Sequence, residues 1–195
     1  MTTNPWDAPP LPATGDVDLA KLYQSVGEAL SQWEHLEGHL AMIFAILVGS
    51  LDMTEPAVMA YGTVVSFNGR SDMIRAAMTG FLVRKPDARL EEELREIMKL
   101  AKNFSARRNE IAHGIVSPYV PPGANLVSGA VLFPAFYASN KRIIETTQAG
   151  IVPFKMSPKY AYTAREIERL KIEFGNVTVR AARALQDLFT HARSS

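Results

Sequence analysis

Hydrophobic residues recur at alternating spacings of three and four along three long stretches of the chain, which predicts three amphipathic helices. The first stripe runs from Leu19 to Leu47, and Gly49 ends it. From Leu40 onward nearly every position is apolar, so this half of the helix should be buried on several sides. The stripe of the middle helix consists of Leu90, Leu94, Ile97, Ala101, Phe104 and Ile111, and that of the last helix consists of Ile167, Leu170, Phe174, Val177, Ala181, Ala184 and Leu188.

Two shorter helices are predicted between the first and the middle helix. Thr54 caps one that stops near residues 68–69, and the other runs from about residue 71 to 84, where Pro86 prevents its continuation. Polar residues also mark the beginnings of the long helices. These are Asp16 or Asp18 for the first helix, Asp87 for the middle one, and the capping box of Thr163 and Glu166 for the last.

The hydrophobic period changes between Gly114 and the last helix. Residues 117–129 are rich in Pro and Gly and predict a loop. Two strands, 131–137 and 142–147, are predicted to pair around residues 139–140, and a third short strand is predicted at 160–162. Their aromatic residues predict either a face that docks on the helices or a platform for stacked bases. These residues are Phe133, Phe136, Tyr137, Tyr160 and Tyr162.

The predicted fold is therefore mainly α: a bundle of about five helices with a small β-hairpin or sheet insertion, at about 128–162, before the last helix. A length of 195 residues suits one domain, which we place at 16–195. Residues 1–15 contain four prolines and predict a flexible arm.

Composition excludes several classes of protein. The net charge is only +1, so the charge of the whole chain does not argue for nucleic acid. There is no Cys, which excludes a disulfide framework and suits a reducing compartment. The first residues lack the charged and apolar regions of a secretory signal. The longest apolar run, Leu40 to Val48, is too short to span a bilayer. We therefore expect a cytoplasmic protein without a membrane segment.

The end of the middle helix carries candidate chemistry. The stripe continues from Phe104 to position 108, where an arginine stands in place of a hydrophobic residue, and Arg108 is therefore expected to face a packing partner. Asn109 and His113 are four residues apart and can interact, so the amide could orient the imidazole ring. Gly114 is predicted to cap the helix, which puts His113 in its last turn. An arginine and a histidine at a helix end suit anion recognition and proton transfer.

The pattern Arg108-Asn109-x-x-x-His113 resembles the R-polar-x3-H signature of HEPN domains. These domains are small, all-helical and often dimeric, and many of them are metal-independent ribonucleases or toxins. The resemblance covers roughly residues 16–192, but its specific part is only residues 108–113. One position departs from the family. HEPN toxins that are silenced by nucleotidyl modification carry a Tyr two residues after the His, where this chain has Ile115, so that control is not expected.

The resemblance implies an endoribonuclease of a toxin or phage-defence kind that needs no metal or cofactor. His113 would act as general base or acid, Arg108 would bind the scissile phosphate, and Asn109 would orient the ring or the phosphate. A homodimer would supply a second His, and an antitoxin would be a partner protein. The basic residues on the same helix would bind RNA. They are Lys99, Lys102 and Arg107.

Two other interpretations remain open. The chain could be a non-catalytic dimeric module that binds RNA, nucleotide or a partner protein, with Arg108 pairing a glutamate or capping carbonyls and His113 capping the helix. Alternatively, His35 and His39 have a spacing that can share a metal ion. No third ligand is evident nearby, and Glu37 does not fit a zincin pattern, so a polar face is preferred for these two histidines.

Overall fold

A computed structural model describes residues 4–51, 55–135, 144–146 and 156–194. The described residues form a mainly helical fold with small antiparallel β-sheets before the last helix, which confirms the predicted fold class. The helices are α1 (Leu19–Leu47), α2 (Glu55–Gly62), α3 (Phe67–Arg84), α4 (Ala88–Ala112) and α5 (Ala164–Arg193). The strands are β1 (Ile115–Pro118), β2 (Ala130–Phe133), β3 (Ile144–Thr146) and β4 (Met156–Pro158). None of these helices combines the length and the apolar character that crossing a membrane requires.

The hydrophobic stripes predicted the buried faces of α4 and α5 correctly. Every hydrophobic stripe position of α4 and α5 is buried, with exposed fractions of 3 % or less, whereas Arg108, on the same stripe of α4, is only half-buried. In α1 the stripe is buried from Leu22 onward except at the half-buried Val26, and its apolar second half is buried on several sides. Leu19, at the helix start, remains 49 % exposed.

The caps explain where the helices begin. Asp18 caps α1, since its carboxylate accepts the backbone N–H of Lys21 at 3.0 Å. Asp87 does the same for α4 through Leu90 at 2.9 Å. The helix predicted from residue 71 begins earlier, at Phe67, because the hydroxyl of Ser66 accepts the N–H of Gly69 and so starts α3 there. The short helix α2 accordingly ends at Gly62 rather than near 68–69, and its predicted cap, Thr54, lies outside the described residues.

The predicted strand pairing was wrong. β2 pairs with β1, in the register Ile115 with Phe133, and β3 pairs with β4. β1 was not predicted as a strand because it has only four residues and ends in Pro118. The region predicted as the third strand contributes one bridge, between Tyr162 and Leu132 of β2. The predicted turn at 139–140 lies outside the described residues.

The chain divides into two compact units, each made of two stretches of sequence. The first comprises Met1–Leu30 and Ala106–Ile172, and the second comprises Ser31–Ser105 and Glu173–Ser195. In the first unit β2 is central: β1 lies on one side, and Asp16 and Tyr162 form bridges to β2 as well. Asp16 also accepts the N–H of Ala164 at 2.7 Å and so caps α5, together with Thr163.

The described part of the predicted arm hydrogen-bonds to the rest of the first unit instead of lying apart from it. The carbonyl of Pro5 accepts a bond from Arg169 at 2.8 Å, and that of Pro12 accepts one from the Tyr119 hydroxyl at 2.7 Å. Gly15 donates its N–H to the carbonyl of Ser128 at 2.6 Å. Residues 5–16 are thereby fixed against the sheet and α5 at several points.

The second unit is helical and contains a buried carboxylate. Trp33 makes edge-on contacts with Phe67 and Phe174 in its core. Glu37, only 7 % exposed, accepts hydrogen bonds from the indole of Trp33 at 3.3 Å and from the hydroxyl of Tyr61 at 3.0 Å. Its charge is balanced by a guanidinium nitrogen of Arg70 at 3.2 Å. A buried carboxylate needs such partners to remain ionised at low cost.

Two glycine substitutions should shift stability in opposite directions. Gly129 has φ +84°, and a Cβ there would lie 2.6 Å from the carbonyl oxygen of Asp16, so Gly129→Ala should destabilise the protein by about 2–4 kcal/mol. Gly80 lies within α3, and a Cβ there would meet nothing within 4 Å, so Gly80→Ala should stabilise by about 0.5–1 kcal/mol. Urea unfolding of both variants measures this. Equal effects of the two changes would contradict the packing around Gly129.

Candidate functional site

The Arg/Asn/His pattern lies at the C-terminal end of α4. The helix ends at Ala112, and His113 follows it, with its N–H donated to the carbonyl of Asn109 at 3.1 Å. The side chains of Asn109 and His113 are exposed, and that of Arg108 is half-buried. All three therefore reach solvent, as a site for a large substrate requires.

The buried arginine is Arg107, not Arg108. Arg107 is only 8 % exposed, whereas the sequence pattern placed Arg108 on the packed face. Positions three and four residues after Phe104 lie on either side of the stripe axis, so spacing alone does not decide between them. The choice depends on partners, because a buried guanidinium requires a counter-charge and acceptors. Those partners lie on the side of Arg107.

Four side chains form what we call the Glu110 cluster: Arg107, Glu110, Tyr160 and Tyr162. Glu110 accepts hydrogen bonds from Arg107 and from Tyr160, each at 2.9 Å, and from Tyr162 at 2.5 Å. Arg107 also donates to the Tyr162 hydroxyl at 3.3 Å, and its guanidinium lies 5.6 Å from the centre of the Tyr160 ring. The two tyrosines belong to the segment before α5, so the cluster joins that segment to the last turns of α4.

Burial and the charge of Glu110 change the acidity of both tyrosines. Burial first, and then the negative charge of Glu110, raise the pKa of Tyr160 to about 12. The same two causes raise the pKa of Tyr162 further. Both hydroxyls therefore stay protonated at neutral pH and act as hydrogen-bond donors to the carboxylate.

Gly114 is required for close packing rather than for a helix cap with positive φ. Among the described glycines, those with positive φ are Gly49, Gly123 and Gly129, so Gly114 does not adopt the left-handed conformation expected of a capping glycine. A Cβ at Gly114 would instead lie 2.6 Å from Cγ of Leu132 in β2. The chain leaves α4 directly against the sheet, which leaves no room for a side chain at this position.

The orientation of Asn109 is determined by Arg108. A guanidinium nitrogen of Arg108 lies 3.2 Å from the amide oxygen of Asn109. Because a guanidinium can only donate, the oxygen must face Arg108 and the amide NH₂ must point away from it. Both side chains of this neighbouring pair carry N–H donors, the kind of group that binds an anionic ligand.

The other predicted RNA-binding residues have different surroundings. Arg107, predicted to bind RNA, is enclosed in the Glu110 cluster and is only 8 % exposed. Lys99 is exposed and pairs with Glu96 at 3.0 Å, and Lys102 is exposed. Their role in RNA binding remains a prediction.

The described aromatic residues before α5 do not form a platform for stacked bases. Tyr162 is fully buried, and Phe133 packs against Tyr119 with ring centres 6.2 Å apart. Phe136 and Tyr137 lie outside the described residues. The described aromatic residues therefore serve packing and hydrogen bonding.

The ring of His39 contacts the preceding turn of α1, where His35 lies. Nδ1 of His39 lies 2.7 Å from the carbonyl oxygen of His35. Among the described residues, no group of three or more potential ligands is placed to hold a metal ion.

Sequence reasoning did not identify Glu110, Tyr160 or Tyr162 as neighbours of the motif. One signal was present, because Arg107 and Glu110 are oppositely charged and three residues apart on a helix. The tyrosines follow Glu110 by 50 and 52 residues, and no local pattern connects them to it.

The raised pKa of Tyr160 predicts a loss of stability in alkali. In the unfolded chain a tyrosine loses its proton at about pH 10, whereas in the folded protein Tyr160 keeps it until about pH 12. The contribution of Tyr160 to the free energy of unfolding is thus fully present below pH 10 and decreases as the pH rises to 12. Tyr160→Phe should make the decrease shallower in this interval. Urea unfolding at increasing pH measures it, and an unchanged slope would contradict the buried position of this hydroxyl.

The chain was also compared with known proteins. No protein-family model, no curated protein and no solved structure matches it. The resemblance to HEPN domains therefore remains a prediction that rests on Arg108, Asn109 and His113 and on their place at the end of α4.

Proposed function

We propose that the protein is a metal-independent endoribonuclease of the cytoplasm whose site consists of Arg108, Asn109 and His113. The observation that supports this proposal is the difference in exposure among the side chains at the end of α4. Arg107 and Ile111 are buried and Glu110 is largely enclosed, whereas Asn109 and His113 are exposed and Arg108 is half-buried. Asn109 and His113 are thus presented to solvent, and Arg108 is partly so.

The proposed reaction uses the 2′-OH of the RNA itself as nucleophile. A general base removes the 2′-OH proton, the oxygen attacks the adjacent phosphorus, and the P–O5′ bond breaks. The products are a 2′,3′-cyclic phosphate and a 5′-OH that takes up a proton from a general acid. Histidine suits either proton transfer, because its side chain titrates near neutral pH. One imidazole cannot fill both roles at once, so a homodimer would supply a second His113.

Arg108 and Asn109 would hold the phosphate. The guanidinium of Arg108 offers several N–H donors to the non-bridging oxygens, whose negative charge grows as the 2′-oxygen attacks. The amide NH₂ of Asn109 points away from Arg108 and can donate to the same group. We therefore propose that Asn109 contacts the phosphate, one of its two predicted roles, rather than the imidazole ring.

Such an activity would act on cellular RNA and would need restraint. A toxin or phage-defence role with an antitoxin as partner protein is the biological form that the resemblance to HEPN domains suggests. The alternative, a non-catalytic dimeric module for RNA, nucleotide or a protein, uses the same exposed donors but does not require His113.

Cleavage of RNA by the purified protein in EDTA is the direct test. We expect wild type to cleave and to leave 2′,3′-cyclic phosphate ends. His113→Ala should lose about 10²–10⁴-fold in rate through the missing proton transfer, and Arg108→Ala about 10²–10³-fold through lost charge stabilisation.

Matched controls are the exposed His35 of α1 and the exposed Arg183 of α5. His35→Ala and Arg183→Ala should cleave like wild type. If all variants cleave equally, a contaminating nuclease is responsible and the proposal fails. If wild type binds RNA without cleaving it, and His113→Ala binds equally well, the binding module replaces the ribonuclease.

Substitution of Asn109 separates its two predicted roles. Asn109→Asp keeps an oxygen for Arg108 but places a negative charge where the phosphate should bind, so KM should rise by about tenfold or more. Asn109→Ala removes only a neutral donor and should have the smaller effect on KM. If instead both variants change the pH dependence of kcat and leave KM unchanged, Asn109 acts on the imidazole ring.

A further inference from the structure

We infer that Glu110 and Tyr160 are positioning residues that fix the end of α4 carrying Arg108 and His113. The inference rests on the proposed function for its effect on catalysis. It also makes a claim about the conformation of this helix end that can be tested without any activity.

The Glu110 cluster surrounds the motif along the sequence. Arg107 precedes Arg108 directly, and Glu110 follows Asn109 directly. Both flanking side chains bond to the hydroxyl of Tyr162, and Glu110 also accepts a bond from the hydroxyl of Tyr160. Fixing residues 107 and 110 fixes the rotation of this turn about the helix axis, and hence the directions in which Arg108 and Asn109 point.

A chain of contacts also runs from Glu110 in the last turn of α4, through Tyr162 and Leu132, back to Gly114 just after the helix. The Tyr162 hydroxyl bonds to Glu110, and the Tyr162 backbone exchanges two hydrogen bonds with Leu132, each at 2.9 Å. Leu132 in turn packs so closely on Gly114 that no Cβ fits there. The residue before Gly114 is His113. The last turn of α4 and the residue that leaves it are therefore held from both ends.

The energetics of the Arg107–Glu110 ion pair indicate that it fixes the geometry of the helix end more than it stabilises the fold. The side chains of Arg107 and Glu110 are only 10 % and 15 % exposed, and a buried ion pair contributes little net stability because both charges lose their hydration. Nε of Arg107 is buried without a hydrogen-bond partner among the described residues, which is a further cost. The cluster does, however, favour one geometry, because its hydrogen bonds form together only when all four side chains are in these positions.

The expected consequence is a loss of rate with little loss of binding. Substrate binding to exposed donors tolerates a loosened helix end, whereas proton transfer requires the imidazole at hydrogen-bonding distance. Tyr160→Phe removes one bond to Glu110 and should lower kcat about tenfold, with KM within about twofold of wild type. Glu110→Gln removes the charge that balances Arg107 and should lower kcat further.

The control lies on the same helix. Glu93 pairs with Arg180 through two bonds of 2.8 and 2.9 Å, so Glu93→Gln also removes a Glu–Arg ion pair from α4. It should leave kcat and KM unchanged. The comparison separates an effect at the motif from a general loss of helix stability.

Hydrogen exchange tests the inference without activity. The amides of His113 and Gly114 bond to the carbonyls of Asn109 and Ile111 at 3.1 and 3.4 Å. Tyr160→Phe and Glu110→Gln should speed their exchange about tenfold relative to wild type, and Glu93→Gln should not. Because Glu110→Gln can fail to fold, the milder Tyr160→Phe decides the question.

The outcomes separate the inference from the proposed function. If wild type cleaves RNA and Tyr160→Phe changes neither the exchange at His113 and Gly114 nor kcat, the inference is overturned and the proposed function stands. If wild type does not cleave RNA but the exchange rises only in the cluster variants, the proposed function fails and the positioning of this helix end is supported. Equal increases in all three variants would overturn the inference.

Discussion

The ion pair between Arg107 and Glu110 is the interaction on which the end of α4 depends. A guanidinium at this position is removed from water and would be costly without a carboxylate within reach. Glu110 supplies the charge, and Tyr160 and Tyr162 supply hydroxyls that complete the hydrogen bonding of its oxygens. Since Tyr162 also bridges to β2 just before α5, this ion pair connects the inward face of the last turns of α4 to the segment that leads into α5.

The second unit solves a similar problem with the same kinds of residue. Glu37 is buried and is satisfied by the hydroxyl of Tyr61, the indole of Trp33 and the guanidinium of Arg70. Burial, and then the charge of Glu37, raise the pKa of Tyr61, so its hydroxyl remains a donor. In both units two neutral donors and one cation share the carboxylate. This limits the number of charges that must be buried, and it makes each cluster specific for one arrangement.

Sequence patterns predicted the helices well and the contacts between distant segments poorly. The hydrophobic residues of the α4 and α5 stripes are all buried, because periodicity reports directly which face of a helix is apolar. Caps at Asp18 and Asp87 were predictable for the same local reason. Strand pairing was not predictable, because β1 is short and no local sequence pattern identifies β2 as its partner. The buried arginine was misplaced for the same reason. Arg107 rather than Arg108 lies on the buried face, and its partner Tyr162 is 55 residues away in the sequence.

The candidate site illustrates why a short motif finds only part of a functional unit. In residues 107–111 exposure follows the angle around the helix: Arg107 and Ile111 face inward with Glu110, and Asn109 faces outward. A signature of three positions captures the outward residues, which would contact a substrate. The inward residues share no spacing rule with it, because their partners come from the segment before α5. Two adjacent arginines therefore have different surroundings: Arg107 donates to Glu110 and Tyr162 within the protein, whereas the half-buried Arg108 donates to the exposed Asn109 beside it. Of these two arginines, only one in the position of Arg108 could reach a phosphate group. Arg108 would hold that phosphate in one place only if Arg107 and its partners keep the helix end from turning.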